Sequence, residues 1–278
     1  MGFKIRDIVK SKNDDYQTLG QNVVPQKYRL SFKPDLKTFK YEGKGEIDVQ
    51  IKSRTKEILL NSAELTIKSA IVISNGVEYN ADVSVNADKQ EITLMLEDGI
   101  KGNAQIKIEF IGIHNDNMYG FYRSKCNGDG EQKYMLTSQF EAANARNAFP
   151  CFDEPGFKSS FEVTMIVDKS LDCLSNTAIA SVKDIGEDMK EVKFAETPIM
   201  STYLLYLGVG KYDYVTGKLG DTEVRVITTP GNEHLAHLPL EYAMKFLKVI
   251  APQFSIAPTA KSGMAMKSIL GRGYFIPK

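Results

Sequence analysis

Ile47-Asp48-Val49-Gln50-Ile51-Lys52 alternates apolar and polar residues with a period of two. A strand with this pattern turns one set of side chains to a core and the other to water. The same pattern recurs along the chain. Tyr28, Leu30 and Phe32 alternate with Arg29, Ser31 and Lys33; Ile92, Leu94 and Leu96 with Thr93, Met95 and Glu97; Ile106, Ile108 and Phe110 with Lys107 and Glu109. Turn formers separate the runs at Asn75-Gly76, Asp98-Gly99, Gly102-Asn103 and Asn127-Gly128-Asp129-Gly130. No helical period intervenes. The chain is therefore expected to be mainly β, a large curved antiparallel assembly of sandwich type. Phe161 to Val167 extends the reading. Met200 to Val209 is almost continuously apolar, which predicts a strand buried on both faces.

The period changes once. Val224 to Ile227 reads as a strand stopped by Thr229-Pro230-Gly231, and then Leu240, Ala243, Met244, Leu247 and Ile250 fall at helical spacing until Pro252. Residues 1–20 are polar and read as a loose leader, and residues beyond about 255 read as a poorly ordered tail.

Composition narrows the function classes. The chain has 278 residues, 42% hydrophobic and 25% charged, which is globular and fits one large domain or two ordinary ones. Lys plus Arg and Asp plus Glu are both 35, so no global field steers the chain to nucleic acid or an anionic membrane. Cys126, Cys151 and Cys173 form no CxxC pair and are read as reduced thiols of a cytoplasmic protein. Met1 to Asp7 contain no apolar run of signal-peptide length, and no stretch of 18 or more apolar residues occurs in the sequence.

Local chemistry is sparse. His234-Leu235-Ala236-His237 places two imidazoles three residues apart beside Glu233, which fits either a metal-catching pair or a solvated helix start. The missing third ligand favours the second. Asp153-Glu154-Pro155 could be paired carboxylates, but neighbours on an extended chain point opposite ways, and Asp153 is better read as capping backbone amides. Cys151, between Pro150 and Phe152 with no His nearby, is read as a buried inert thiol.

One segment differs in kind: Thr137-Ser138-Gln139-Phe140-Glu141-Ala142-Ala143-Asn144-Ala145-Arg146-Asn147-Ala148-Phe149-Pro150-Cys151-Phe152-Asp153-Glu154-Pro155-Gly156-Phe157-Lys158. It strongly resembles the signature of the aminopeptidase N family of zinc metallopeptidases, Thr-Gln-Phe-Glu-Ala-x-x-Ala-Arg-x-x-Phe-Pro-Cys-Phe-Asp-Glu-Pro-x-Phe-Lys, and is closest in flavour to the archaeal tricorn-interacting members. Val23 to Tyr28, Asn61 to Leu65, Met118 to Tyr122 and Thr197 to Leu205 resemble flanking features of the family. The resemblance covers about residues 21–250. It implies that residues 21–215 are the family's N-terminal β-domain and that residues 216–278 are a short α+β start of a thermolysin-like catalytic domain. It also implies that Glu141 holds the free α-amine of a peptide and that Gln139 lines the pocket for the first side chain. From the residues alone, Glu141 reads equally well as a solvated strand residue.

The chain departs from the family after its helix. Phe254-Ser255-Ile256-Ala257-Pro258 is followed by Gly263-Met264-Ala265-Met266-Lys267-Ser268, so Lys267 stands where the family has a second amine-binding Glu. A cation there repels an ammonium. No His-Glu-x-x-His occurs in the sequence. The expectation is an N-terminal portion of a zinc aminopeptidase that is inactive alone, with no catalytic residue, metal ligand or cofactor assigned in this chain. Zinc is expected for the full-length family. Arg272 to Pro277, back-translated and read one base later, can give Gly-Ala-Ile-Ser-Phe-Arg, close to the family's Gly-Ala-Ile-Thr-Phe-Arg, so a frameshift near Met266 is one source of such an end. Partners implied are a peptide N-terminus and the missing catalytic portion. The alternative is a non-catalytic binding or scaffold protein that retains the β-domain. Met244, Leu247, Ile250 and Phe254 are expected to form an exposed apolar patch.

Overall fold

The computed structural model describes residues 18–126, 134–220, 222–253, 266–267 and 274–277. In chain order the strands are β1 (Val23–Asp35), β2 (Lys40–Asn61), β3 (Thr66–Ser74), β4 (Val77–Asn80), β5 (Asp82–Asn86), β6 (Glu91–Ile113), β7 (Gly120–Lys125), β8 (Tyr134–Gln139), β9 (Ser160–Asp168), β10 (Asp172–Leu174), β11 (Ile179–Ile185), β12 (Met189–Phe194), β13 (Gly208–Gly210), β14 (Asp213–Leu219) and β15 (Thr222–Thr228). Helix α1 (His237–Gln253), β16 (Met266–Lys267) and β17 (Tyr274–Pro277) follow. The first sheet runs β11-β12-β9-β1-β2-β6-β3-β4, with β5 also on β6; the second runs β10-β13-β8-β7, and the third β14-β15-β17-β16.

The alternation that predicted strands also fixes their faces. Ile47, Val49 and Ile51 are buried, while Asp48 and Gln50 are only partly covered and Lys52 is exposed. The β1–β2 connection is closed by Asp35. Its carboxylate accepts hydrogen bonds from the Lys37 amide and the Thr38 hydroxyl, each at 2.7 Å, and these bonds lower its pKa. Long β2 and β6 pair from Lys40↔Ile113 to Asn61↔Glu91, with register breaks near Thr55 that bend the pair. Phe110 lies over the backbone of Gly43; a Cβ there would stand 2.2 Å from the ring, so only glycine fits. Tyr28, Phe32, Tyr41, Phe110, Phe121, Phe149 and Phe161 are fully or almost fully buried. They meet mostly edge to face, as at Phe32–Phe121, with Tyr28–Phe161 stacked at 4.9 Å.

Two features depart from the sequence reading. The main sheet is not wholly antiparallel: β1 pairs β9 in parallel from Lys27↔Ser160 to Phe32↔Met165. Period two marks a strand's face but not its partner's direction. The Met200–Val209 run is mostly buried, with Leu204 exposed, and it is not one strand. It is a 3₁₀ turn at Thr202–Leu204 followed by the short β13. Side chains replace the ladder there: Asn176 Oδ1 accepts from Tyr206 N at 2.7 Å, and Ser138 Oγ accepts from Leu207 N at 2.9 Å.

The expected 215/216 boundary falls inside β14, whose hairpin with β15 carries α1. Val215, Val226 and Ala236 form a small core that Leu240 covers. Met244 packs beside Gly217. The helix face expected to be bare is thus partly covered, and Leu240, Met244 and Leu247 are half-buried. The exposed apolar residues instead are Leu238, Tyr242, Phe246 and Val249 of α1, with Leu235 in the 3₁₀ turn before it. Within the expected tail, β17 joins β15 and β16 joins β17. The rest of that tail, the leader through residue 17 and the turn at Asn127–Gly130 lie outside the described residues, as does Phe254; of Ile250 only its place in α1 is described.

Candidate functional site

The family-like segment divides into an open entry and a buried plug. β8 ends at Gln139, which pairs with Gly120 of β7. Gln139 is partly exposed, Phe140 is buried against Phe149 at 5.9 Å, and Glu141 is exposed. Gln139 closes β8 and Glu141 lies in the turn that follows, one on each side of buried Phe140 along the chain. The chain then turns: the Asn144 amide donates to the Phe140 carbonyl at 2.8 Å, and Asn144 Nδ2 donates to the Glu141 carbonyl at 3.1 Å. The Glu141–Ala142 peptide bond is cis.

After a 3₁₀ turn at Ala145–Asn147, the residues Ala148, Phe149, Pro150, Cys151 and Phe152 are buried. Backbone bonds between Asn61 and Cys151 run both ways, at 2.8 and 3.0 Å. Tyr28 Oη accepts from the Phe152 amide at 3.1 Å. Asp153 then ties the plug together. Its carboxylate accepts from Arg146 Nε at 3.0 Å, from Arg146 N at 3.2 Å and from Thr202 Oγ1 at 2.7 Å. Its amide donates to Asn61 Oδ1 at 3.0 Å. The capping role expected of Asp153 is therefore present. Glu154 turns elsewhere and accepts from the Leu19 amide at 2.7 Å, so the two carboxylates do not converge.

Sequence reasoning misses the Arg146–Asp153 pair, although a lone cation seven residues before a buried acid is its available signal. Cys151 is buried, and desolvation pushes its thiol well above the usual value; Cys173 is pushed up to about 12 by the same cause. These are inert thiols. His114 also escapes a reading of the sequence. It is buried, stacks near Tyr41, and its Nδ1–H donates to the Phe121 carbonyl at 2.9 Å. Desolvation lowers its pKa to about 4.

His234 and His237 are exposed at the entry to α1. Among the described residues no group of three or more His, Cys, Asp or Glu side chains is placed to hold a metal ion. The described residues therefore offer no donor set that fits the zinc implied by the resemblance. A groove of about 970 Å³ opens at the Tyr134 end of β8, between Lys33–Glu42, Leu171 and Lys211. Neither Gln139 nor Glu141 lines it, so it is separate from the open entry.

Comparison with known proteins agrees with the signature. A family model described as the peptidase M1 N-terminal domain matches residues 24–204. Aminopeptidase 2 of Candida albicans is 38% identical over 242 residues, covering 86% of this chain and 26% of that protein. The alanine/arginine aminopeptidase of Saccharomyces cerevisiae is 37% identical over 248 residues, 86% of this chain and 28% of its own length. Aminopeptidase M1 of Arabidopsis thaliana is 37% identical over 241 residues, 84% of this chain and 27% of its own length. The chain spans about a quarter of the length of these curated relatives.

Proposed function

Because the chain belongs to the family of the peptidase M1 N-terminal domain, we propose that it is the N-terminal portion of a zinc-dependent aminopeptidase and supplies the carboxylate that selects free peptide N-termini. The carrying observation is the placement of Glu141: an exposed carboxylate at the end of β8, next to a plug held by the Asp153 network. An ammonium meeting it forms a charge-assisted bond, worth about 1.5–3 kcal/mol for a hydrogen bond to a charged group. An acetylated N-terminus has no such charge, so the contact discriminates by about ten- to a hundredfold. Gln139, two residues earlier at the end of β8, contributes a neutral amide to the rim that receives the first side chain.

In this reading the zinc site lies on a catalytic segment outside the 278 residues, and the chain alone does not hydrolyse peptides. The 278 residues contain no His-Glu-x-x-His, which supports this. Lys267 stands in the sequence where the family has a second amine-binding acid, a charge reversal that does not favour an ammonium. The partners are a peptide N-terminus and a polypeptide bearing the catalytic segment, and the setting is the cytoplasm. The free Cys126, Cys151 and Cys173 support that setting. No described helix is long and apolar enough to cross a membrane. The test is hydrolysis of an aminoacyl chromophore by the purified chain with zinc supplied. No turnover is expected. Chelator-sensitive turnover would overturn the proposal, and its loss on removal of His234 and His237 would place the metal site there.

A further inference from the structure

Glu64 lies outside the family-like segment, in the connection from β2 to β3, yet it reaches that segment and the strand beside it. Its Oε1 accepts from Tyr119 Oη at 2.9 Å, and its Oε2 accepts from Asn147 Nδ2 at 3.3 Å. Glu64 is exposed, so these bonds rescue no buried charge. The backbone is held at the same place. The Ala63 amide donates to the Arg146 carbonyl at 2.9 Å, and Glu64 has a φ of 59°, a left-handed conformation that a non-glycine residue adopts at a cost.

The two partners of Glu64 lead to the two residues of the open entry. Tyr119 precedes Gly120, which pairs with Gln139 at the end of β8. The Asn147 amide donates to the Asn144 carbonyl at 3.2 Å, and Asn144 Nδ2 donates to the Glu141 carbonyl at 3.1 Å. Gly120 and Asn147 are close neighbours: a Cβ on Gly120, whose φ is 68°, would stand 3.0 Å from Asn147 Cβ. We propose that Glu64 is a positioning residue for amine capture, tying the strand beside Gln139 to the turn that carries Glu141 and so fixing the spacing of amide and carboxylate that a peptide N-terminus meets. Glu64 acts through Tyr119 and Asn147 and does not touch the peptide. The inference rests on the amine-holding role proposed for Glu141. A hydrogen bond weakens steeply when misaligned, so a turn that drifts loses affinity without losing the fold. One carboxylate serves both ties: losing Tyr119 Oη frees one side, and losing Glu64 frees both.

Titration of the full chain with leucine amide, read at the Glu141 Cδ resonance, tests it, with N-acetyl-leucine amide as the blank. Glu64→Ala should raise the dissociation constant about tenfold, and Tyr119→Phe, which keeps the Glu64 charge, about threefold. Adding Tyr119→Phe to Glu64→Ala should cost nothing further, because Tyr119 acts through Glu64. Glu64→Gln should bind within about twofold of wild type, since its amide oxygen accepts from Tyr119 and its nitrogen donates to Asn147 Oδ1 once that amide reverses. The urea midpoint should be the same in every variant, as fits contacts of an exposed side chain. A wild-type response that Glu64→Ala leaves unaltered overturns this inference alone, whereas silence of the wild-type chain overturns the role of Glu141 along with it. Glu64→Gln as weak as Glu64→Ala, with Tyr119→Phe silent, would make Glu64 a plain attracting charge and overturn the positioning role. So would a loss of affinity that tracks a fall in the urea midpoint.

Discussion

Asp153→Ala should unfold the signature plug more readily than any surface change. The Asp153 side chain is 1% exposed and that of Arg146 13%. Removing the carboxylate leaves a largely buried guanidinium, the Arg146 amide and the Thr202 hydroxyl without the acceptor they share. Breaking a buried pair by deleting one member costs about 3–5 kcal/mol. The guanidinium retains bonds to the Asp153 carbonyl at 3.3 Å and to Gln90 Oε1 at 3.4 Å, so the lower value, about 3 kcal/mol, is expected. At about 2–4 °C per kcal/mol for a unit of this size, the midpoint should fall by roughly 6–12 °C. Asp153→Asn keeps an acceptor for Thr202 and loses the charge, so it should fall between wild type and Asp153→Ala. Lys44→Ala is the control. It breaks the Lys44–Glu109 pair, whose side chains are 67% and 52% exposed, and should cost under about 1 kcal/mol. Urea titrations followed by circular dichroism give the differences. Equal losses for Asp153→Ala and Lys44→Ala would refute the reasoning, because burial would then carry no penalty.

Three further outcomes follow from the packing. His114 titrates near 4 when folded, against 6.5 for a solvated histidine, so unfolded chains take up a proton that the folded chain refuses. This group therefore lowers stability by about 3 kcal/mol as pH falls from 6.5 to about 4 and contributes no slope outside that window; His114→Gln should flatten that part of a pH–stability curve, and an unchanged curve would count against it. Gly43→Ala drives a methyl into Phe110 and should destabilise by about 1–3 kcal/mol in the same urea assay. Cys151 should resist a thiol reagent until the protein unfolds, whereas partly exposed Cys126 should react in the native state, more slowly than a free thiol because partial burial raises its pKa.

Much of the fold is legible in the sequence because period two reports burial directly. Ile47, Val49 and Ile51 point inward and Lys52 outward, as the alternation predicts. Partner direction is not legible, since an alternating strand reads the same beside a parallel or an antiparallel neighbour; hence the unforeseen β1–β9 pairing. Met200–Val209 misleads because an apolar run reports burial, not hydrogen-bonding pattern, and Asn176 and Ser138 supply the bonds a ladder would have made. In α1 Leu240, Met244 and Leu247 recur at helical spacing, but so do Leu238, Tyr242, Phe246 and Val249, so the period alone does not say which face is covered. At the site, the signature points to Gln139 and Glu141 only through resemblance. Nothing in their own chemistry separates Glu141 from a solvated acid. The Arg146–Asp153–Thr202 network is illegible beyond the cap, because Thr202 lies 49 residues away and only the fold brings it to Asp153.

The amine-holding role of Glu141 is tested most directly by its own carboxyl resonance. The isotope-labelled chain is titrated with leucine amide and, separately, with N-acetyl-leucine amide at the same pH. The Glu141 Cδ signal should shift and saturate with the free amine and stay still with the acetylated compound. Equal responses to the two compounds, or no response to either, would contradict the account.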